Sequence, residues 1–167
     1  ASQTSLDART NDSKARCVPA RVRIFLSEDE LALTAAGADK WFGSIWPHVS
    51  APRNGLVDRP TKQESCPFIV IEDFATTGLD GDPEAFSVDP ESPNNFLNFF
   101  RAVGYSDKGT HAKGSWGVGK TVFPRSSRIS SFIGYTVRAS DDRRMLLGRS
   151  ILKYHSVGGR PFKSDGY

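Results

Sequence analysis

Apolar residues fall in short runs along this chain, and their spacing switches between extended and helical periods. Val22-Arg23-Ile24-Phe25-Leu26 is β-branched and apolar enough for a strand. Ser27-Glu28-Asp29-Glu30 then spells S-x-x-E, the reciprocal capping pattern, and predicts a helix through Leu31 and Leu33 towards Trp41 and Phe42, ending near Gly43. Pro67-Phe68-Ile69-Val70-Ile71 is a continuous apolar run that stops at Glu72-Asp73, the pattern of a buried strand. Asn94 or Asn95 can cap a helix in which Phe96, Phe99, Phe100 and Val103 fall at i, i+3, i+4 and i+7, so one face packs inward. Residues 121–130 read as helical with Pro124 confined to the first turn. Phe132 to Arg138 and Met145 to Tyr154 read as antiparallel strands around the turn-like Ser140-Asp141-Asp142.

Between these elements, residues 47–66 and 76–93 are loops, the second acidic and punctuated by Gly and Pro. Irregular segments of that length in a compact domain are usually functional or mobile. Residues 1–9 read as the remaining part of a helix that loses its pattern at Thr10-Asn11-Asp12. No internal repeat is present. Over 167 residues this predicts one compact domain, burying roughly two-thirds of its unfolded surface.

Composition narrows the class. With 38% hydrophobic, 11% aromatic and 25% charged residues, the chain is neither disordered nor fibrous. No apolar run reaches the ~20 residues of a membrane span, and the polar N-terminus has no signal-peptide stretch, so the expectation is a cytoplasmic protein with no membrane partner. Cys17 and Cys66 lie far apart without metal-ligand spacing and read as reduced thiols. The net charge of +3 hides an asymmetry: residues 51–100 carry 3 Lys/Arg against 9 Asp/Glu, and residues 101–167 carry 13 against 4. Cations therefore surround a glycine-rich segment, which suits a phosphate.

That segment contains Gly114-Ser115-Trp116-Gly117-Val118-Gly119-Lys120-Thr121, which satisfies the P-loop pattern G-x-x-x-x-G-K-[ST] and also G-x-x-G-x-G. A P-loop needs a strand running straight into its first glycine, whereas residues 104–113 are GYSDKGTHAK. The apolar strand ending in acidic residues also precedes the loop, although the Mg²⁺-organising Asp of a P-loop protein usually follows it.

Three separated pieces fit another pattern. ASQTSLDA at 1–8, IEDFATTGL at 71–79 and GYSDKGTHAKGSWGVGK at 104–120 resemble, in order, the N-box, first glycine box and second glycine box of the GHKL (Bergerat-fold) ATPases. That superfamily takes in DNA gyrase, ninety-kilodalton heat-shock chaperones, mismatch-repair ATPases and histidine kinases. The resemblance covers roughly residues 1–155 and implies an α/β (α+β) two-layer sandwich with a mixed, mostly antiparallel sheet and helices on one face. It implies ATP and Mg²⁺ as ligands. The N-box of the family carries a Glu that polarises water and, four residues on, an Asn that binds Mg²⁺; here Thr4 stands at the Asn position and Asp7 at the following acidic one. The Glu would fall immediately before Ala1, and the expectation is a chain trimmed at both ends.

The resemblance makes Asp73 the acceptor of the adenine amino group and lets Gly78 bring the backbone close to the base, although the family pattern D-x-G-x-G is here Asp73-Phe74-Ala75-Thr76-Thr77-Gly78, longer by one residue and without the first glycine. Gly114, Gly117, Val118 and Gly119 would turn backbone amides towards phosphate, helped by the dipole of a helix after Lys120 and by the charges of Lys120 and Lys108. The implied function is Mg²⁺-ATP binding that orders residues 104–120 as a lid, with hydrolysis in the complete protein driving a conformational change, possible homodimerisation through the full-length protein included. Three other readings stay open: a P-loop NTPase, a basic nucleic-acid-binding module without enzymatic activity, and a degenerate nucleotide sensor.

Overall fold

The computed structural model describes residues 19–85, 94–101 and 121–164. In chain order the elements are β1 (Arg21–Leu26), a 3-10 turn (Asp29–Leu31), α1 (Ala35–Phe42), a second 3-10 turn (Gly43–Ile45), α2 (Trp46–Ser50), β2 (Ile69–Phe74), α3 (Asn95–Phe100), α4 (Val122–Arg125), β3 (Ser131–Val137), β4 (Arg144–Ser150), β5 (His155–Val157) and β6 (Arg160–Phe162). The strands pair as β1–β2, β3–β4 and β5–β6, each a two-stranded antiparallel sheet, so the class is α+β. Contacts divide the chain into two compact units.

The first unit comprises the described residues 23–71, 124–132 and 149–164. Its core holds Ala38, Val49, Ala51, Ile129 and Leu152, all buried. The S-x-x-E signal at Ser27 does not start a helix. Ser27 is buried, its amide donates to Phe68 O at 2.9 Å and its hydroxyl accepts from Phe68 N at 2.7 Å. Spending the hydroxyl on a neighbouring strand leaves none for a cap, so the helix begins later, at Thr34, whose Oγ1 accepts from Gly37 N at 3.2 Å.

Buried Asn54 closes the end of α2. Its Nδ2 donates to His48 O at 2.9 Å and Val49 O at 2.6 Å, its Oδ1 accepts from Leu56 N at 3.0 Å, and its carbonyl accepts from Lys153 N at 2.7 Å. A buried amide with its polar atoms engaged is retained without a desolvation penalty. The same Lys153 bond explains why the strand expected over 145–154 stops at Ser150. After the last rung, Ile151 N to Ser130 O at 2.9 Å, the backbone turns to Asn54.

The second unit comprises residues 19–22, 72–85, 94–101, 121–123 and 133–148. Asn94 caps α3 as its sequence predicts, with Oδ1 accepting from Leu97 N at 2.8 Å. Phe96, Leu97 and Phe100 of α3 are buried, and Val103 of the expected apolar face lies outside the described residues. Phe100 packs where a side chain of β3 would stand, because a Cβ at Gly134 would meet its Cζ at 2.5 Å.

Two further expectations are corrected. The helix over 121–130 is the single turn Val122–Arg125, because Ser127 Oγ accepts from Ser131 N at 3.3 Å and the run Ser126-Ser127-Arg128-Ile129-Ser130 offers one apolar residue, too few for a helical face. The run ending at Asp73 is not a buried strand: Ile69 is 54% exposed and Ile71 38%, opposite Leu26 and Ile24 in the register set by the Ser27–Phe68 bond. Continuous apolar character marks a strand but does not say which faces are covered.

Gly134→Ala drives a methyl into the buried Phe100 ring and should destabilise the protein by about 1–3 kcal/mol, read as a lower midpoint in urea denaturation.

Candidate functional site

Of the residues singled out by the glycine-box resemblance, Asp73 and Gly78 lie within the described structure. Thr4, Asp7, Lys108, Gly114, Gly117, Val118, Gly119 and Lys120 lie outside the described residues. Asp73 sits near the end of β2 with its carboxylate exposed, and the Thr76 hydroxyl donates to Oδ1 over a long 3.5 Å. The expectation of a costly buried carboxylate is therefore replaced by an open one. A solvated carboxylate offers lone pairs to an incoming donor without first breaking a strong internal bond.

The backbone after Asp73 is unusual. Ala75, at the position of the first glycine in D-x-G, adopts φ +62°, and Gly78 follows with φ +72°. L-residues avoid this left-handed region because Cβ crowds the following carbonyl, at a cost of roughly 1–2 kcal/mol per residue. The turn thus keeps the backbone shape of a glycine with an alanine in its place. At Gly78 itself a Cβ would lie 2.2 Å from Val137 O, so close packing of the loop on the end of β3 excludes any side chain there.

What holds the turn is a set of bonds from the β3–β4 hairpin and α3. Leu79 N donates to the buried Thr136 Oγ1 at 2.9 Å, and Ala139 N to Thr77 O at 2.9 Å. Arg138 Nη1 donates to Gly81 O at 2.8 Å, Ser140 Oγ to Asp80 Oδ1 at 2.8 Å, and Phe96 N to Asp80 O at 2.9 Å. Arg138 is itself oriented by a two-pronged pair with Asp141, whose carboxyl that hydrogen bond pulls down to about 2. Thr136, set aside on sequence as lying too early in the chain for the family's adenine-reading Thr, and Arg138, which sequence reasoning did not single out, are the supports of this turn. Thr136 sits on the inward side of an alternating strand, the signal that marks it as a support; Arg138 has no such signal.

The flanks of the glycine-rich segment are also described. The chain leaves α3 at Arg101 and returns at Thr121, and the rings of Phe99 and Phe123 meet with centroids 5.6 Å apart. Arg101 Nη1 donates to Ala85 O at 2.9 Å, tying that departure point to the edge of the acidic loop. The helix expected to add a dipole after Lys120 is one turn long, too short to sum many peptide dipoles, so any phosphate held there relies on loop amides and cations. A cavity of about 250 Å³ opens beside these flanks, bordered by Glu84, Phe96, Arg101, Arg143 and Met145; neither Asp73 nor Gly78 borders it.

Among the described residues no group of three or more His, Cys, Asp or Glu is arranged to hold a metal ion, and no helix is long and apolar enough to cross a membrane. Burial raises the Cys66 thiol above its ordinary value, so it is a poor thiolate near neutral pH. Comparison with family models, with curated proteins and with solved structures returns no match.

Thr136→Val keeps the shape of the side chain and removes the acceptor for Leu79 N. It should destabilise by about 1–3 kcal/mol, with the loss of amide protection concentrated at Leu79 in hydrogen exchange. Ala75→Gly has the opposite sign to an ordinary loop substitution. Relief of the left-handed alanine should raise stability by about 1 kcal/mol, where the same change at a negative-φ site lowers it. The depressed carboxyl of Asp141 gives a third outcome: its contribution is present above the unfolded value near pH 4 and is lost as pH falls through about 2, so its carboxyl carbon shift in NMR should titrate near 2.

Proposed function

We propose that this chain is a nucleotide-binding module of the GHKL type that binds Mg²⁺-ATP. Adenine is read by Asp73 and the turn behind it, and the triphosphate is held by the glycine-rich segment. One observation carries the reading: Ala75, standing where the family pattern has its first glycine, takes a left-handed backbone of the kind glycine adopts readily. Two further features support it. The carboxylate of Asp73 is open to accept, and adenine presents an amino donor where guanine presents a carbonyl. The rings of Phe99 and Phe123 meet at the two ends of the glycine-rich segment, which brings its points of departure and return together.

In this reading the two-layer sandwich is the finer form of the α+β class. The amides of Gly114, Gly117, Val118 and Gly119 surround the phosphates, with Lys120 and Lys108 adding charge. Mg²⁺ favours oxygen ligands, few from protein and the rest from phosphate and water, and the Thr4 hydroxyl and Asp7 carboxylate are of that kind. Binding ATP orders the segment, and hydrolysis in the complete protein releases it, biasing a larger conformational equilibrium and any homodimer the complete protein forms. A P-loop is disfavoured on the sequence itself, because residues 104–113, GYSDKGTHAK, do not read as a strand running into Gly114.

Isothermal calorimetry with Mg²⁺-ATP tests this directly. Asp73→Asn leaves the fold intact, since the side chain is exposed, and should weaken ATP binding by about 10- to 100-fold while narrowing the preference over GTP. Lys120→Ala should cost less than Asp73→Asn. The reverse order would select the P-loop reading, and no ATP binding by the unaltered chain would remove both.

A further inference from the structure

A second feature, independent of the nucleotide reading, lies in the other unit at the β5–β6 hairpin. The hairpin has three residues per strand, with His155 opposite Phe162 and Val157 opposite Arg160, closed by Gly158 and Gly159 at φ +56° and +78°. Such a two-stranded piece is marginal by itself in water and needs a surface to dock on. Its surface is α2. His155, 2% exposed, and Phe162 share one face of the hairpin and enclose His48: the His48 ring stands edge-on to Phe162 at 4.5 Å and to His155 at 5.2 Å.

The proton positions follow from the partners. His155 Nδ1 lies 2.7 Å from Lys153 O, and a carbonyl only accepts, so Nδ1 carries hydrogen. In a neutral ring Nε2 is then an acceptor, and at 2.9 Å it takes the Nδ1 hydrogen of His48. Docking in this geometry therefore requires His155 uncharged. A proton arriving at His155 Nε2 removes the acceptor and turns two donors to face each other. One arriving on His48 leaves the bond but places a cation in a setting of cations: Arg53, which borders a cavity of about 400 Å³ with Tyr154 and His155; Arg59, bonded to Ser50 O and Ala51 O; Lys153; and Arg160, 5.6 Å over the Phe162 ring. Consistently, burial and the neighbouring His155 lower the His48 imidazole below its ordinary value.

We propose that the His48–His155 contact is a proton-sensitive latch, which holds the β5–β6 hairpin on α2 at neutral pH and releases it as the pair takes up a proton from solvent. The Lys153 N to Asn54 O bond does not titrate, so the hairpin swings from a fixed root at Lys153. The sign follows from linkage: the released state binds protons more readily, so docking is complete above about pH 6.5 and weakens below it.

Hydrogen exchange followed by NMR on the whole chain tests the latch. Protection factors of hairpin amides should fall at least about tenfold between pH 7.5 and pH 5.5, while those of α1 and of Val49 hold. His155→Gln should lower hairpin protection at pH 7.5 and abolish its pH dependence. A wild-type tautomer measurement needs no variant: long-range ¹H–¹⁵N spectra at neutral pH should show His155 protonated at Nδ1. Hairpin protection equal at both pH values, loss spread evenly over hairpin and α1, or His155 protonated at Nε2 would each overturn the proposal.

Discussion

Residues 75–82 hold a backbone that the chain would not adopt alone, and the second unit is organised around keeping it there. Two left-handed residues within four positions, Ala75 and Gly78, have to be held by contacts made elsewhere. The contacts come from sequence-distant places: a buried hydroxyl at Thr136, a guanidinium at Arg138, a hydroxyl at Ser140 and an amide in the first turn of α3 at Phe96. Each bond is worth on the order of 1 kcal/mol net, so together they exceed the strain of one left-handed alanine. The result is a turn whose position relative to β2 is set by β3 and α3 rather than by its own sequence. A turn built this way is preorganised.

Local signals were legible in proportion to how locally they are satisfied. The Asn94 cap is a bond over three residues, and it was readable because the distant bond of that side chain, Nδ2 to Asp82 O at 2.8 Å, leaves Oδ1 for the cap. Ser27 has the same kind of signal but finds Phe68, 41 positions away, and the strand partner wins. Likewise the apolar run at 67–71 correctly marked a strand, yet its exposure depends on what lies over Ile69 and Ile71, a property of the fold and not of the run. The polar stretch after Arg125 carried too little periodicity to sustain the ten-residue helix assigned to it, and Ser127 turned its hydroxyl to Ser131 instead.

In the candidate site, the residues that touch solvent were the ones the sequence revealed. Asp73 and Gly78 stood out through a carboxylate closing an apolar run and a glycine at a pattern position. Ala75 departs from that pattern in identity, and its backbone takes the left-handed φ of +62°. The supports were invisible for a physical reason: a Thr on a strand and an Arg in a turn are common, and only the three-dimensional meeting of Arg138 with Gly81 distinguishes them. The paired histidines were equally hidden, since 107 positions separate His48 from His155.

Gly134 carries a consequence beyond its own packing. The Phe100 ring occupies the volume of the methyl group that β3 lacks there, so α3 rides lower on the strand than any side-chain-bearing residue would allow. Arg101 follows immediately, and the chain departs from that point. The height at which the glycine-rich stretch takes off above the sheet is thus measured by one absent carbon, and a change of a single methyl in β3 would lift its origin without touching any of its own residues.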